Sequence, residues 1–152
     1  MSGMMPEAFL ALILPKTLTW ANEQAERGLA AGRVLTSVEL DDARQVGVSA
    51  PDKIRLSLVD EVPMPHDPML REIAIRTGLL NDDIAGLTLG YAIFITPRHF
   101  SRRLLRHECR HVYQYEAAGS IDQFMQEYLR QITTFGYQTA PLEIDAMQHE
   151  TV

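Results

Sequence analysis

Residues 98–118 read RHFSRRLLRHECRHVYQYEAA, and this stretch carries the most informative pattern of the 152-residue chain. It contains neither proline nor glycine, and Gly119 follows it directly, so it predicts one long helix. Its apolar side chains recur at helical spacing on one side of that helix, at Leu104, Leu105, Val112 and Tyr115. The other side carries Arg102, Arg103, Arg106 and Arg110. The pattern predicts an amphipathic helix with an arginine face directed outward.

The first half of the chain predicts helices followed by short strands. Residues 18–31 are rich in helix formers, and a second helix begins with a Thr36 or Ser37 cap and ends at Gly47. Residues 53–59 alternate polar and apolar side chains, which is typical of a half-buried strand. Residues 68–80 predict a short helix whose apolar face carries Leu70, Ile73, Ala74 and Leu80.

The segments on either side of the long helix predict a strand region before it and two helices after it. Residues 86–95 are β-branched and aromatic, and Gly90 within them is compatible with a tight hairpin. Ser120 caps a helix that runs to about Thr134, and Pro141 begins the last helix.

These elements predict an α+β fold that is mainly helical, with a small sheet whose edge strand, 87–95, borders the cleft beside the long helix. The length predicts a single domain, 1–152. Within it, residues 1–50 form a helical segment, 51–97 hold the strands and one short helix, and 98–152 hold the long helix and the C-terminal helices.

Composition and charge exclude several classes of protein. The chain is 46% hydrophobic and 22% charged, which is ordinary for a globular domain, and its net charge of -6 argues against a nucleic-acid partner. The single cysteine, Cys109, cannot form an internal disulfide. The longest apolar run, 8–14, is too short to cross a bilayer, and no basic residue precedes it. We therefore expect a buried helix or strand there, no membrane partner and a cytoplasmic location.

The long helix contains the motif His-Glu-x-x-His at residues 107–111. His107 and His111 are four residues apart, so a helix places both imidazoles on one face, where they can share one metal ion. Glu108 lies about 100° around the helix from His107, and its carboxylate can reach the rim of such a site. There it can take a proton from an activated water and pass it to a leaving amine.

A catalytic zinc site needs a third protein ligand, and the last helix offers two. Glu143 lies in the first turn of that helix and Asp145 follows it. The intervening helix is long enough to reverse the chain and bring the last helix back beside the motif. Glu143 is the preferred ligand, while Asp145 can instead bind the metal directly or hydrogen-bond a ligand histidine.

The second half of the chain, about 86–148, resembles the gluzincin-type zinc metallopeptidases, and especially small bacterial metallopeptidases of that kind. Their shared pattern is a strand, then His-Glu-x-x-His-Val-x-Gln, a helix, and Pro-x-Glu-x-x-Ala. It is matched here by His107, Glu108, His111, Val112, Gln114, Pro141, Glu143 and Ala146. The resemblance implies a minimal zincin-like domain in which His107, His111 and Glu143 bind Zn²⁺ and Glu108 is the catalytic base. Arg110 departs from the usual consensus, which disfavours charge at that position.

The expected function is hydrolysis of peptide bonds in a peptide or protein substrate. The alternative is a zinc-binding module that cleaves little or nothing and binds a partner protein. Because 152 residues leave little chain for the far wall of a cleft, a second copy or a partner chain can complete it.

Other residues have competing interpretations. Tyr137 can stabilise an oxyanion or simply pack. Cys109 points to the back of the helix and is expected to be buried. The remaining histidines are expected to face solvent; they are His66, His99 and His149. The basic side chains near the motif can bind an acidic group, but a solvated face paired with acids is the preferred interpretation; they are Arg98, Arg102, Arg103, Arg106 and Arg110.

Overall fold

A computed structural model describes residues 7–79 and 84–151 of the chain. It begins with helix α1 at Glu7–Ala31, so the apolar run 8–14 joins the predicted helix, and only Ile13 of that run is buried. Helix α2 spans Ser37–Gln45 and is capped by Thr36, whose hydroxyl accepts from the Glu39 amide while the Glu39 carboxylate accepts from the Thr36 amide. Within the described ranges, no helix is long and apolar enough to span a membrane.

The sheet has three short strands in the order β1-β3-β2. Strand β1 is Arg55–Leu58, β2 is Gly86–Leu89 and β3 is Ala92–Ile95; β3 pairs parallel with β1 and antiparallel with β2. Gly90, with φ of 65°, begins the two-residue turn between β2 and β3. The segment 87–95 is therefore not a single edge strand but the tight hairpin that Gly90 allowed, in which β2 is an edge strand and β3 is central.

Four further helices complete the fold. Helix α3 is Pro68–Thr77, and it buries Leu70, Ile73 and Ala74 as predicted, while Leu80 lies outside the described residues. Helix α4 is Arg102–Ala118, α5 is Ile121–Phe135 and α6 is Pro141–Gln148. The chain is thus a mainly helical α+β protein, as predicted from the sequence.

Helix α4 begins four residues later than its first predicted residue. Residues Pro97–His99 form a short 3-10 helix, and the Ser101 side chain then accepts from the Leu104 amide. A second 3-10 helix, Pro51–Lys53, precedes β1. Proline restricts the residue before it and lacks an amide donor, so both segments break the regular pattern next to a proline.

The core places α4 against one face of the sheet. Leu105, Cys109 and Val112 pack with strand residues Ile93 and Ile95. A second apolar cluster joins α1, the β2–β3 hairpin, α4 and α5, and a third joins α1 to α3 and α5. Helix α4 is therefore held between the sheet and the C-terminal helix α6, with α2 along its arginine side.

The arginine side of α4 is solvated only in part: Arg98, Arg102 and Arg103 are exposed, as predicted, whereas Arg106 is buried and Arg110 half-buried, which corrects the prediction for these two. Arg106 is only 4% exposed and donates to Asp42 and Gln45 of α2. Arg102 forms a bidentate ion pair with the same Asp42. Arg110 binds Asp145 of α6 through two nitrogens. The predicted pairing with acids is confirmed, and the acids belong to neighbouring helices, which cover Arg106 and Arg110 but leave Arg102 exposed.

Candidate metal centre

Two elements bring together the three residues proposed as ligands. His107 and His111 lie one turn apart on α4, and Glu143 lies in the first turn of α6; all three are buried. The two rings meet edge to face, with centroids 4.9 Å apart. Glu143 Oε1 lies 3.2 Å from His107 Nε2 and 3.3 Å from His111 Nε2. One ligand atom from each residue lies within 4.8 Å of the other two, so the group could hold a metal ion.

The far nitrogen of each histidine contacts an acceptor, which fixes the tautomer. His107 Nδ1 lies 2.8 Å from Glu150 Oε2, and His111 Nδ1 lies 2.7 Å from Gln114 Oε1. The Gln114 amide nitrogen donates to Leu142 O and Asp145, so its oxygen faces the histidine. Carboxylate and amide oxygens only accept, so Nδ1 carries the hydrogen in both rings. When a metal takes the place of the second ring proton, each histidine is neutral and presents the lone pair of Nε2 to the shared locus.

Asp145 lies close to the group without being part of it. Its carboxylate accepts from Arg110 Nε at 2.8 Å and from Gln114 Nε2 at 2.8 Å. It therefore contacts His111 only indirectly, through Gln114, and Glu143, not Asp145, belongs to the group that could hold a metal ion. Arg110 points toward Asp145 and stacks over Tyr113, so its charge does not enter the group.

Glu108 is held by the β2 edge of the sheet. Thr88 Oγ1 donates to Glu108 Oε1 over 2.7 Å, and Tyr115 in turn donates to the Thr88 carbonyl. A Cβ at Gly86 would lie 2.9 Å from Glu108 Oε2, closer than real contacts allow. Glycine at this position therefore leaves the space that the carboxylate occupies. Glu108 lines the same cavity as both histidines.

Three residues of the site were not predicted from the sequence, or only in part. Tyr128 of α5 donates to Glu143 Oε2 over 2.8 Å, and Glu150 contacts His107 beyond the end of α6. The sequence does not indicate either contact, since Tyr128 is one more residue of an amphipathic helix and Glu150 follows the last helix. Tyr137, for which the sequence left an oxyanion role or simple packing open, is half-buried and lines the cavity.

The electrostatics of the group favour a cation. Burial alone lowers the pKa of His111, but the charge and hydrogen bond of Glu143 outweigh it and raise that pKa to about 9. Burial likewise raises the pKa of Glu143, yet the two histidines hold it well below its usual range. Glu108 adds a second negative charge that raises the pKa of both histidines. The carboxylates thus favour positive charge at this locus, which protons on the two imidazoles supply in the absence of a metal and a bound cation would supply in their place.

The other candidate residues lie elsewhere. Cys109 is fully buried in the core, as predicted, and burial raises its pKa to about 12, which makes its thiol unreactive. His66 is exposed, as predicted, but His99 and His149 are half-buried, which corrects that prediction. His99 contacts Thr96 Oγ1, and His149 contacts the Asp145 carbonyl, so local hydrogen bonds hold both rings against the protein.

No family model, no curated protein and no solved structure matches this chain. The resemblance to gluzincin-type metallopeptidases therefore stays a prediction from the residues.

Proposed function

We propose that this protein is a zinc-dependent peptidase in which His107, His111 and Glu143 hold the metal and Glu108 is the general base. The observation that carries the proposal is the convergence of a buried His-His-Glu group with a second buried glutamate, Glu108, on the wall of one cavity. Two neutral imidazoles and one carboxylate form a common ligand set of catalytic zinc. A merely structural zinc site is normally closed by a fourth protein ligand, and the group in the described residues offers three.

The fit to a metal can be judged from the hydrogen bonds of the ligands. Both Nε2 atoms face the carboxylate of Glu143, and both Nδ1 hydrogens are taken up by acceptors behind them. This is how metal-binding histidines are normally oriented. A zinc ion bound there supplies Lewis acidity, which polarises a carbonyl and lowers the pKa of a bound water to about 7.

The protein's own residues supply the proton transfer. Thr88 holds Glu108 Oε1, which leaves Oε2 as the atom that accepts a proton from the attacking water and later delivers it to the leaving amine. Tyr137, on the same cavity wall, donates to the oxyanion in this proposal. The outer edge of β2, next to Glu108, is where an extended peptide substrate would add as a further strand.

Two substitutions test the proposal. In Glu108→Gln the shape remains but the proton acceptor is lost, so zinc content should stay near one per chain while peptide cleavage falls about 10²- to 10⁴-fold. In His111→Ala both zinc and cleavage should be lost. Zinc is measured by metal analysis and cleavage with a mixed peptide library, with Glu26→Gln, an exposed residue of α1, as the control.

Three results would contradict the proposal in different ways. Cleavage that survives Glu108→Gln would reject the mechanism. Zinc binding without cleavage of any peptide would favour the alternative, a metal-binding module that recognises a partner protein. Absence of zinc from the wild-type protein after loading would reject the ligand set.

A further inference from the structure

The metal group lies at one end of a larger cavity whose volume is about 280 Å³. The cavity extends from α4 and α6 to walls supplied by α1, α3 and α5. Its volume approaches the lower end of the range for small-molecule sites, about 300–1,000 Å³. This is more space than a metal and one water require.

The charged side chains of the cavity are confined to its metal end. Among residues 7–79 and 84–151, the cavity lining carries five charged or imidazole groups, which are His107, Glu108, His111, Glu143 and Glu150. All of them belong to the site described above, where hydrogen bonds engage them. The described remainder of the lining therefore offers no counter-ion to a charged ligand.

The walls away from the metal are apolar and partly aromatic. Tyr115 stacks on Phe124 with ring centroids 3.8 Å apart, and Phe124 on Tyr128 at 5.3 Å. The opposite walls come from α1 and α3 and include Ile13, Trp20, Leu70 and Ile73. Water in such a space makes few hydrogen bonds, so an apolar group that displaces it gains the free energy of burial.

We propose that this cavity is a binding pocket for one bulky apolar side chain, aromatic or long aliphatic, next to the scissile bond. The position of that bond rests on the proposed function, whereas the preference for an apolar group rests on the walls alone. Against the apolar walls formed by the described residues, a lysine or arginine side chain would bury its charge without a counter-ion, which is costly. A glycine or alanine would leave most of the volume filled with poorly bonded water.

Trp20 gives a direct test, because it is the single tryptophan of the chain and it lines the cavity. The fluorescence of Trp20 is titrated with N-acetyl amides of phenylalanine, leucine, glycine and lysine, with and without Zn²⁺. These probes lack a zinc-binding group, so their binding reports the pocket and not the metal. We expect phenylalanine and leucine amides to bind about 10- to 100-fold more tightly than glycine and lysine amides. Equal binding of the four amides, or none at all, would overturn the proposal.

A pair of matched variants locates the pocket. Met64 is half-buried in the cavity wall, whereas Met147 is exposed on α6 and does not line the cavity. Met64→Glu should weaken the binding of the phenylalanine amide at least 10-fold and strengthen that of the lysine amide, while Met147→Glu should change neither. An equal effect of the two substitutions would show that the amides bind elsewhere, and would overturn the assignment.

Failure of this proposal can be distinguished from failure of the proposed function. Selective binding of apolar amides by a protein that cleaves no peptide would retain the pocket and reject the peptidase. Conversely, cleavage of a peptide library without preference for large apolar residues would retain the peptidase and reject the pocket.

Discussion

The two sides of helix α4 bury charge in different ways. On the side facing α2, the guanidinium groups of Arg102 and Arg106 meet one carboxylate, Asp42. On the side facing α6, His107 and His111 meet Glu143, with Glu108 beside them and Glu150 behind. The side facing α2 carries two arginines whose positive charge is permanent. The side facing α6 has carboxylates around two histidines, which are neutral when they bind a metal. The difference shows that the charge of the α2 side is balanced by residues of the protein, whereas the α6 side suits an added cation.

If the α2 side is a closed ion-pair cluster, its disruption should cost stability and leave metal binding intact. Asp42→Asn leaves Arg106 buried with no full negative charge, and loss of one partner of a buried pair typically costs about 3–5 kcal/mol. We expect the free energy of unfolding in urea to fall by that amount, with an unchanged zinc affinity for the folded protein. The control is the neighbouring Asp41→Asn, an exposed residue whose loss should cost less than about 0.5 kcal/mol. Similar losses in the two variants would contradict this interpretation of the cluster.

On the side facing α6, a substitution should weaken metal binding and leave stability nearly unchanged. Glu150→Ala removes the acceptor behind His107 Nδ1, and loss of such a partner usually lowers metal affinity about 10- to 100-fold. Glu150→Gln keeps an acceptor there and should recover a large part of that affinity. Affinity is measured by competition with a chelator, and unfolding in the presence of chelator should show little change. If Glu150→Ala binds zinc as tightly as the wild-type protein, Glu150 has no role in orienting His107.

The pH dependence of stability gives a smaller effect that tests the side of α4 facing α2. The hydrogen bond and charge of Arg102, aided by Arg106, hold the pKa of Asp42 below its usual value despite burial. A carboxyl group with a lowered pKa in the folded state stabilises the fold above its unfolded pKa of about 3.9, and that contribution is lost as the pH falls through the folded value. The difference in unfolding free energy between wild type and Asp42→Asn should therefore be constant from pH 7 to 5 and narrow below about pH 4. A difference that begins to narrow at pH 6 would assign the effect to another group.

The sequence by itself determined the local features of this protein. Helical periodicity and Gly119 locate α4 and its end, but the sequence placed its start at Arg98, four residues too early, because a short 3-10 helix follows Pro97. Four-residue spacing alone puts His107 and His111 on one face, and Pro141 places Glu143 in a first turn. These features depend on hydrogen bonds and side-chain directions within one or two turns, which neighbouring residues specify.

Only the tertiary structure decided which side chains complete the site. Glu150 reaches His107 across 43 positions, Thr88 reaches Glu108 across 20, and Asp42 covers Arg106 across 64. The sequence pattern placed Arg106 on a solvated face, because periodicity describes one helix and does not reveal that α2 packs against it. The apolar cavity has the same origin, since its walls come from helices far apart in the chain. Contacts of this kind depend on how whole elements pack, and no local pattern encodes them.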